Sequence, residues 1–174
     1  RDKAGNEQTV TRKVIVSATA PDITFEAEEN SINELGWAKE DFYVTINVID
    51  NTGKGIKEVY VCTSNETDRC EPTDIDSSIQ DNKITRLIQT ESNNNRICVK
   101  AIDNDNKSSE VICSDAYKLD KTDPVVGSIN VNGQTPSEGW YKEDLIITTN
   151  DGTDSLSGHL ETTVNFESIT ENTE

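Results

Sequence analysis

The chain of 174 residues contains 16 Lys or Arg and 33 Asp or Glu, which gives a formal net charge of −17. This negative charge argues against nucleic-acid binding, in which Lys and Arg neutralise phosphates, and against electrostatic docking on anionic lipid. The sequence has no apolar run of the roughly 18 residues that a membrane-spanning helix requires, so we expect no membrane insertion.

The distribution of the apolar residues favours an all-β fold. Only 32% of the residues are hydrophobic, which is low for a compact domain and makes disorder an alternative. These residues lie in short runs rich in Val and Ile, however, and Asn, Asp, Ser, Thr and Gly separate the runs, as in strands and turns. We therefore predict an all-β chain with a thin core and long polar loops.

The first two predicted strands lie in the stretches DITFEA and FYVTINVID. In DITFEA, Ile23, Phe25 and Ala27 share one face because the side chains of a strand alternate with a period of two. FYVTINVID alternates over its whole length, which is typical of a half-buried antiparallel strand. Its predicted inner residues are Phe42, Val44, Ile46 and Val48.

Four later stretches complete this unit after the turn sequence NTGKG. IKEVYVC puts Val59 and Val61 on a shared face, NKITRLIQT is a further strand, and SEVICSDAYKL closes the unit. NRICVKAID is predicted to bury Ile97, Val99 and Ala101. These six short stretches within about 100 residues fit an antiparallel β-sandwich of the immunoglobulin-like or fibronectin III-like class, which has about seven strands.

The cysteines near the end of this unit test the predicted pairing. Cys98 and Cys113 flank the turn sequence DNDN, and a hairpin closed there pairs residues whose numbers add to 211. Cys98 then lies opposite Cys113, and Val99 lies opposite Ile112. We expect the cysteines on the outer face and the apolar pair on the inner face, which makes a cross-strand disulfide geometrically reasonable.

Cys62 and Cys70 form a second close pair, which would staple the short loop CTSNETDRC. Each closure would contribute about 2–4 kcal/mol to stability, and disulfides would indicate an oxidising compartment. Neither pair has the nearby histidines that a zinc site would use. Four cysteines allow three connectivities, so the other pairings and four reduced thiols stay open at this point.

An internal duplication is indicated by the hexapeptides GWAKED and GWYKED, which stand 103 positions apart and contain both tryptophans of the chain. They place Gly36 and Trp37 in register with Gly139 and Trp140. Without a gap, the same offset aligns Thr19 with Thr122, Pro21 with Pro124, Thr45 with Thr148, Asn47 with Asn150, Gly55 with Gly158, Glu58 with Glu161 and Val61 with Val164. A period near 100 is too long for a solenoid repeat and matches a whole β-sandwich domain.

This offset divides the chain into three predicted parts. Residues 1–18 are interpreted as the last strand of a preceding unit, residues 19–118 as a complete domain, and residues 119–174 as the first half of the next unit. We therefore expect the chain to be an excerpt from a longer string of units, whose neighbouring repeats are its partners.

The two repeated tryptophans are predicted to be structural. Each ring would cap one end of a sandwich, while Gly36 and Gly139 let the backbone turn. The alternative is an exposed ring that stacks on a sugar. The recurrence of Trp37 and Trp140 beside equivalent strand starts favours packing.

Four motifs resemble those of the tandem bacterial immunoglobulin-like repeats of cell-surface and adhesin-type proteins. They are DKAGN at Asp2–Asn6, LDKTDP at Leu119–Pro124, GWYKEDL at Gly139–Leu145 and SG at Ser157–Gly158. The chain departs from that pattern at DNDN, which lacks the usual Ala-Gly, and at Lys54, where Ser is usual. The resemblance covers essentially the whole chain and implies a non-catalytic stalk or adhesin segment on the bacterial cell surface.

Catalysis finds no support in the sequence, and calcium is a weak candidate cofactor. The single histidine, His159, follows a Ser-Gly turn and is interpreted as ordinary surface, and no nucleophile with an oriented base stands out. DNDNKS starts like an EF-hand loop but lacks Gly at position six and Glu at position twelve. Alternatively, the acidic residues stand there because Asn and Asp tolerate tight turns. The candidate calcium ligands are Asp103, Asp105, Asp120 and Asp123.

The expected function is that of a structural stalk or spacer module of an extracellular surface protein. The linker YKLDKTDP contains no Gly, and Pro124 fixes its own φ and biases Asp123 towards extended conformations, so we predict a semi-rigid linker. One alternative is a filament built with other copies by strand exchange or head-to-tail stacking. Another is a carbohydrate-binding accessory module, which the 5% aromatic content disfavours.

Overall fold

The computed structural model describes residues 3–5, 7–11, 19–132 and 146–164. These residues form ten β-strands and no helix. The strands are β1 (Asp22–Ala27), β2 (Trp37–Ala38), β3 (Phe42–Ile49), β4 (Ile56–Ser64), β5 (Lys83–Ile88), β6 (Ser92–Asp103), β7 (Ile112–Cys113), β8 (Tyr117–Leu119), β9 (Ile129–Asn132) and β10 (Ile146–Thr149). Nowhere in these ranges is there a helix long and apolar enough to cross a membrane.

Two sheets make up the first unit, the part of the chain from β1 to β8 (residues 22–119); the second unit is the later part that contains β9 and β10 (residues 124–164). One sheet of the first unit has the strand order β1-β3-β5, and the other has the order β2-β8-β6-β4 with β7 added on β6. The pairings are antiparallel except for the short pair β2–β8, which is parallel. Strands β9 and β10 form a separate antiparallel pair. The predicted all-β class with antiparallel sheets is therefore confirmed, and the arrangement is consistent with a β-sandwich.

The core lies between these sheets, where the inner faces of β3 and β6 meet. Alternation along β3 buries every second side chain, as the sequence predicts, and the four predicted inner residues are at most 1% exposed. The predicted inner residues of β4 and β6 are buried as well, and Leu119 of β8 belongs to the same cluster. The largest fully buried side chains of this cluster are Phe42, Ile46, Ile84, Ile97 and Leu119.

The end of the first unit differs from the single closing strand predicted for SEVICSDAYKL. This stretch contains two short strands, β7 and β8, and both pair with β6. The N–H groups of Ser109 and Ser114 donate to the carbonyls of Ala101 and Ile97 on β6, on either side of β7, and residues 114–116 separate β7 from β8. The strand β2 was not predicted at all; its two residues pair with β8 through Trp37 and Lys118.

The hairpin register at the cysteines is the predicted one. Cys98 pairs with Cys113, and Val99 pairs with Ile112. The expectation that both apolar residues lie inside is wrong for one of them, because Ile112 is 40% exposed whereas Val99 is fully buried. The physical reason is that β7 has only two residues at the margin of the sheet, so the opposite sheet does not cover it.

A connecting segment protects the outer edge of β4. The N–H of Val61 donates to the carbonyl of Asp74 at 3.4 Å, and the N–H of Asp76 donates to the carbonyl of Val59 at 2.7 Å. The Asp76 carboxylate then forms an ion pair with Arg86 on β5 of the other sheet. The segment therefore joins both sheets and covers an edge that would otherwise be open to strand addition.

The pairing register of β9 and β10 differs by one residue from the register that the gap-free offset of 103 predicts. That alignment predicts Ile147 opposite Asn130, as Val44 lies opposite Ala27 in the first unit. Ile147 instead lies opposite Val131. Because cross-strand partners share a face, the shift places apolar Val131 beside Ile147. Compared with β1 and β3 at the offset of 103, one additional residue precedes β9 and one fewer lies between β9 and β10.

Candidate functional site

The linker between the two units is held from both sides by Asp120, which directly follows β8. Its N–H donates to the carbonyl of Ala38 at 3.0 Å. One carboxylate oxygen accepts the N–H of Ser157 in the second unit at 2.9 Å, and the other accepts the N–H of Thr122 at 3.1 Å. Asp120 is only 8% exposed, so water competes weakly for these bonds. Through its backbone N–H and its carboxylate together, this one residue connects the end of the first unit with a loop of the second.

The next two linker residues are anchored on the first unit. The Lys121 ammonium bonds the Asp41 carboxylate and the carbonyl of Gln89, both at 3.0 Å. The Glu91 carboxylate accepts the N–H of Lys121 at 2.6 Å and the hydroxyl of Thr122 at 2.9 Å. A linker of three residues thus carries charge-assisted bonds to separate loops, which restricts its rotation relative to the first unit.

The loop that meets Asp120 is itself ordered by an aspartate. One oxygen of Asp154 accepts the N–H groups of Leu156 and Gly158 at 3.0 and 2.8 Å and the Ser157 hydroxyl at 3.2 Å. The N–H bond from Gly158, followed in size by burial that acts in the opposite direction, leaves the pKa of Asp154 below its ordinary value. Gly158 has φ of 84°, which glycine adopts without strain. The turn therefore presents the N–H of Ser157 towards the linker.

Trp37 lies at this same end of the first unit. Gly36 has φ of 82°, so the expectation that it turns the backbone is confirmed. The amide oxygen of Asn33 accepts the N–H groups of Leu35 and Trp37, both at 3.0 Å. The Lys118 ammonium lies 5.6 Å from the centre of the indole ring, within cation–π distance. The ring is half-buried and packs at the end of the sheet.

A cleft of about 390 Å³ separates Trp37 from the second unit. Its walls include Leu35 and Trp37 on one side and His159 and Leu160 on the other, with Asp120 at the junction. His159 is exposed and bonds the Thr162 hydroxyl at 2.8 Å through Nε2, in keeping with its interpretation as a surface residue. The second motif pair, Gly139 and Trp140, lies outside the described residues.

The opposite end of the first unit carries two aspartate turns. The Asp50 carboxylate accepts the N–H groups of Thr52, Lys54 and Gly55 at 2.9, 2.8 and 2.7 Å. The bond from Thr52 contributes most to a pKa of Asp50 below its ordinary value. The Lys54 ammonium bonds both oxygens of Asp105 at 2.7 Å, and this bond raises the pKa of Lys54. Lys54, which departs from the usual Ser, thus ties one turn to the other.

The first two calcium candidates lie in the second of these turns. One oxygen of Asp103 accepts the N–H groups of Asp105 and Lys107, both at 2.8 Å, which is the local turn chemistry of an aspartate. The other oxygen is buried and has no hydrogen-bond partner in the described part of the chain. The Asp105 carboxylate is already neutralised by Lys54.

The four calcium candidates are not brought together. Asp103 and Asp105 lie at one end of the first unit, whereas Asp120 and the exposed Asp123 lie in the linker at the other end. Within residues 19–132 and 146–164, no three carboxylates bring their oxygens within 4.8 Å of one another. The donor arrangement therefore favours turn formation over a preformed cation site.

Both predicted disulfides are present, Cys62–Cys70 and Cys98–Cys113. No cysteine is free. Cys62 also lies directly opposite Cys98 on the neighbouring strand, so that Cys62, Cys98 and Cys113 stand in one row across β4, β6 and β7. The sulfur atoms of Cys62, Cys70 and Cys98 lie within 4.8 Å of one another. Because all are oxidised, they offer no thiolate to a metal.

Sequence reasoning missed most of the residues that hold the linker. Asp41, Gln89 and Glu91 are distant from Asp120 in sequence, and surface polar residues give no signal of such contacts. The signal for Ser157 was the recognisable Ser-Gly turn. Comparison with known proteins matched no family model and no curated protein sequence.

Proposed function

We propose that the chain is a structural spacer from an extracellular protein of the bacterial cell surface, a non-catalytic segment in which tandem β-sandwich units are joined by a restrained linker. The observation that carries this proposal is the bonding of Asp120 to both units, to Ala38 on one side and to Ser157 on the other. A spacer holds the parts of a protein at its two ends at a defined distance and orientation. The angle between its units therefore has to be restricted.

The linker contacts support this role because they attach the linker to several separate parts of the molecule. Asp120 fixes the exit of the chain from β8, while Lys121 and Thr122 attach to two further loops. Pro124 then fixes its own φ at the entry to the second unit. Rotation about the linker would break several of these bonds at once, so small departures from one orientation already cost free energy.

The disulfides support an extracellular location, because such bonds persist mainly in oxidising compartments. They close loops in a unit whose hydrophobic content is low, where they contribute a large share of the stability. The net charge of −17 would keep neighbouring copies apart by repulsion. Both features suit a segment that stands outside the cell among identical copies.

Two measurements test the two parts of the proposal. Antibodies raised against residues 19–132 should label intact, unpermeabilised cells of the source organism; labelling only after lysis would contradict the surface location. For the spacer role, ¹⁵N relaxation should give residues of β1–β8 and of β9–β10 one common rotational correlation time. Two clearly different correlation times would contradict a restrained linker.

A filament is the second candidate, and the exposed apolar face of β9–β10 favours it. Ile129, Val131 and Ile147, which share one face of the pair, are between 42 and 57% exposed. A second copy that added strands or a sheet to this face would bury it, and repeated head-to-tail addition gives a fibre. Sedimentation velocity across a concentration series decides: a growing series of oligomers supports the filament, and a constant monomer contradicts it.

A further inference from the structure

The two disulfides are stacked side by side on the outer face of one sheet. Cys62 of β4 and Cys113 of β7 flank Cys98 of β6 as its direct cross-strand neighbours. The sulfur atoms of Cys62, Cys70 and Cys98 lie within 4.8 Å of one another. Each sulfur of the Cys62–Cys70 bond is therefore near a sulfur of the other disulfide.

Access from solvent differs among these sulfurs. Cys98 is 0% exposed, because its neighbours in the row cover it. Cys62 and Cys70 are half-buried, and Cys70 lies in a loop between the exposed residues Arg69 and Glu71. A thiol in solution can thus approach Cys70, whereas Cys98 is reached only from within the protein.

We infer that the two disulfides form one exchange unit, in which partial reduction moves the remaining bond to Cys62–Cys98. An external thiolate attacks Cys70, forms a mixed disulfide there and releases Cys62 as a thiolate. The Cys62 thiolate attacks Cys98, so that the Cys62–Cys98 bond forms and Cys113 leaves as a thiolate. The second thiol of the same external dithiol then attacks the mixed disulfide, releases Cys70 as a thiolate and departs as the oxidised dithiol.

In total, these exchange steps reduce one protein disulfide and oxidise one external dithiol. The new bond is geometrically allowed, because directly opposite residues of antiparallel strands have Cα separations of about 4.5–5.5 Å, within the range of disulfides. The exchange replaces the tie between β6 and β7 by a tie between β4 and β6. After the exchange, no disulfide joins β7 to β6. Only the backbone pairing of its two residues then holds β7 on β6.

The decisive experiment maps disulfides during partial reduction. The oxidised chain is treated with a limiting dithiol, alkylated at intervals and digested, and the linked peptides are identified by mass spectrometry. The first species with one disulfide should contain Cys62–Cys98, with Cys70 and Cys113 alkylated. A first species that keeps Cys98–Cys113, with Cys62 and Cys70 alkylated, would overturn the inference, and so would a Cys70–Cys98 bond.

A variant isolates the internal step. Cys70→Ser leaves Cys62 as a thiol beside the intact Cys98–Cys113 bond. In this variant we expect Cys113 to be alkylated at least about tenfold faster than in the parent chain, because the attacking thiolate is held in place. Unchanged alkylation of Cys113, with Cys62 modified instead, would contradict the step.

The matched control is Cys62→Ser, which leaves Cys70 as the single thiol. Here Cys98–Cys113 should survive, with Cys113 no more reactive than in the parent chain. Equal exchange in both variants would overturn the role given to Cys62. The mapping on the unmodified chain stands by itself if either variant fails to fold, and none of these outcomes depends on the proposed spacer function.

Discussion

The strand pairs β1–β3 and β9–β10 have the same antiparallel arrangement but differ in what covers them. The inner residues of β3 are at most 1% exposed, since the second sheet of the first unit packs on them. Ile146 and Ile147 of β10 are 66 and 42% exposed. Both pairs carry apolar side chains on a strand, but only a facing sheet turns an apolar face into a core.

The largest expected effect is on the covered pair. Ile46→Ala should lower the free energy of unfolding of the first unit by about 2–5 kcal/mol, because it removes buried methyl groups and leaves a cavity. Ile147→Ala in β10 is the matched control and should change it by less than about 0.5 kcal/mol. Urea unfolding followed by circular dichroism measures both. Equal losses would contradict the contrast between the two pairs.

The cysteines sharpen the same comparison, because all four lie in the first unit. Replacing Cys98 and Cys113 together by Ala should lower the stability of that unit by about 3 kcal/mol, the value expected for closing a loop of about 15 residues. Hydrogen exchange followed by NMR should show faster exchange throughout β3 and β6. Exchange in β10 should stay unchanged, and a parallel acceleration there would argue that the two units unfold together.

The linker aspartate should have a smaller effect. Asp120→Ala leaves the N–H groups of Thr122 and Ser157 without their acceptor, and we expect a loss of about 1–3 kcal/mol. Asp123→Ala, three residues further along and exposed, should change stability by less than about 0.5 kcal/mol. Thermal unfolding of both variants measures the difference in stability. Equal losses of stability would contradict the role given to the hydrogen bonds of Asp120.

The smallest effect concerns two separate turns, at Asp50 and at Asp154. Backbone N–H groups lower the pKa of both carboxyls, so each stabilises the folded chain above its unfolded pKa of about 4. That contribution is lost as the pH falls through the still lower folded pKa. Asp50→Asn and Asp154→Asn should each flatten the fall of the unfolding midpoint below about pH 4. An unchanged slope in both variants would contradict this account of the turns.

The sequence predicted the strands well where one face of the strand is buried and the other is exposed. FYVTINVID alternates strictly, and the register at Cys98 and Cys113 follows from the turn between them. It did not predict β2, because two residues are too few to show a period. It also missed the shift of β9 by one residue, since identical residues align the units without showing which side chains share a face.

The candidate site was predictable only in part. The absence of Gly from the linker and the position of Pro124 indicated a restrained segment. The partners of Lys121 and Thr122 are surface residues from loops far apart in the sequence, and their convergence depends on the completed fold. Asp103 and Asp105 lie in one turn and Asp120 and Asp123 in the linker, and the sequence did not show this separation, because acidic residues in tight turns have the same sequence signature with or without a cation.

The most direct test of the restrained linker is the distance between the two units. Spin labels on ketone-bearing amino acids at Thr85 of β5 and Thr148 of β10, which are exposed, leave the disulfides intact. Pulsed electron paramagnetic resonance should give one narrow distance distribution, and Asp120→Ala should broaden it at least about twofold because the bond to Ser157 is lost. A broad distribution in the parent chain, with the same width in the variant, would contradict the account.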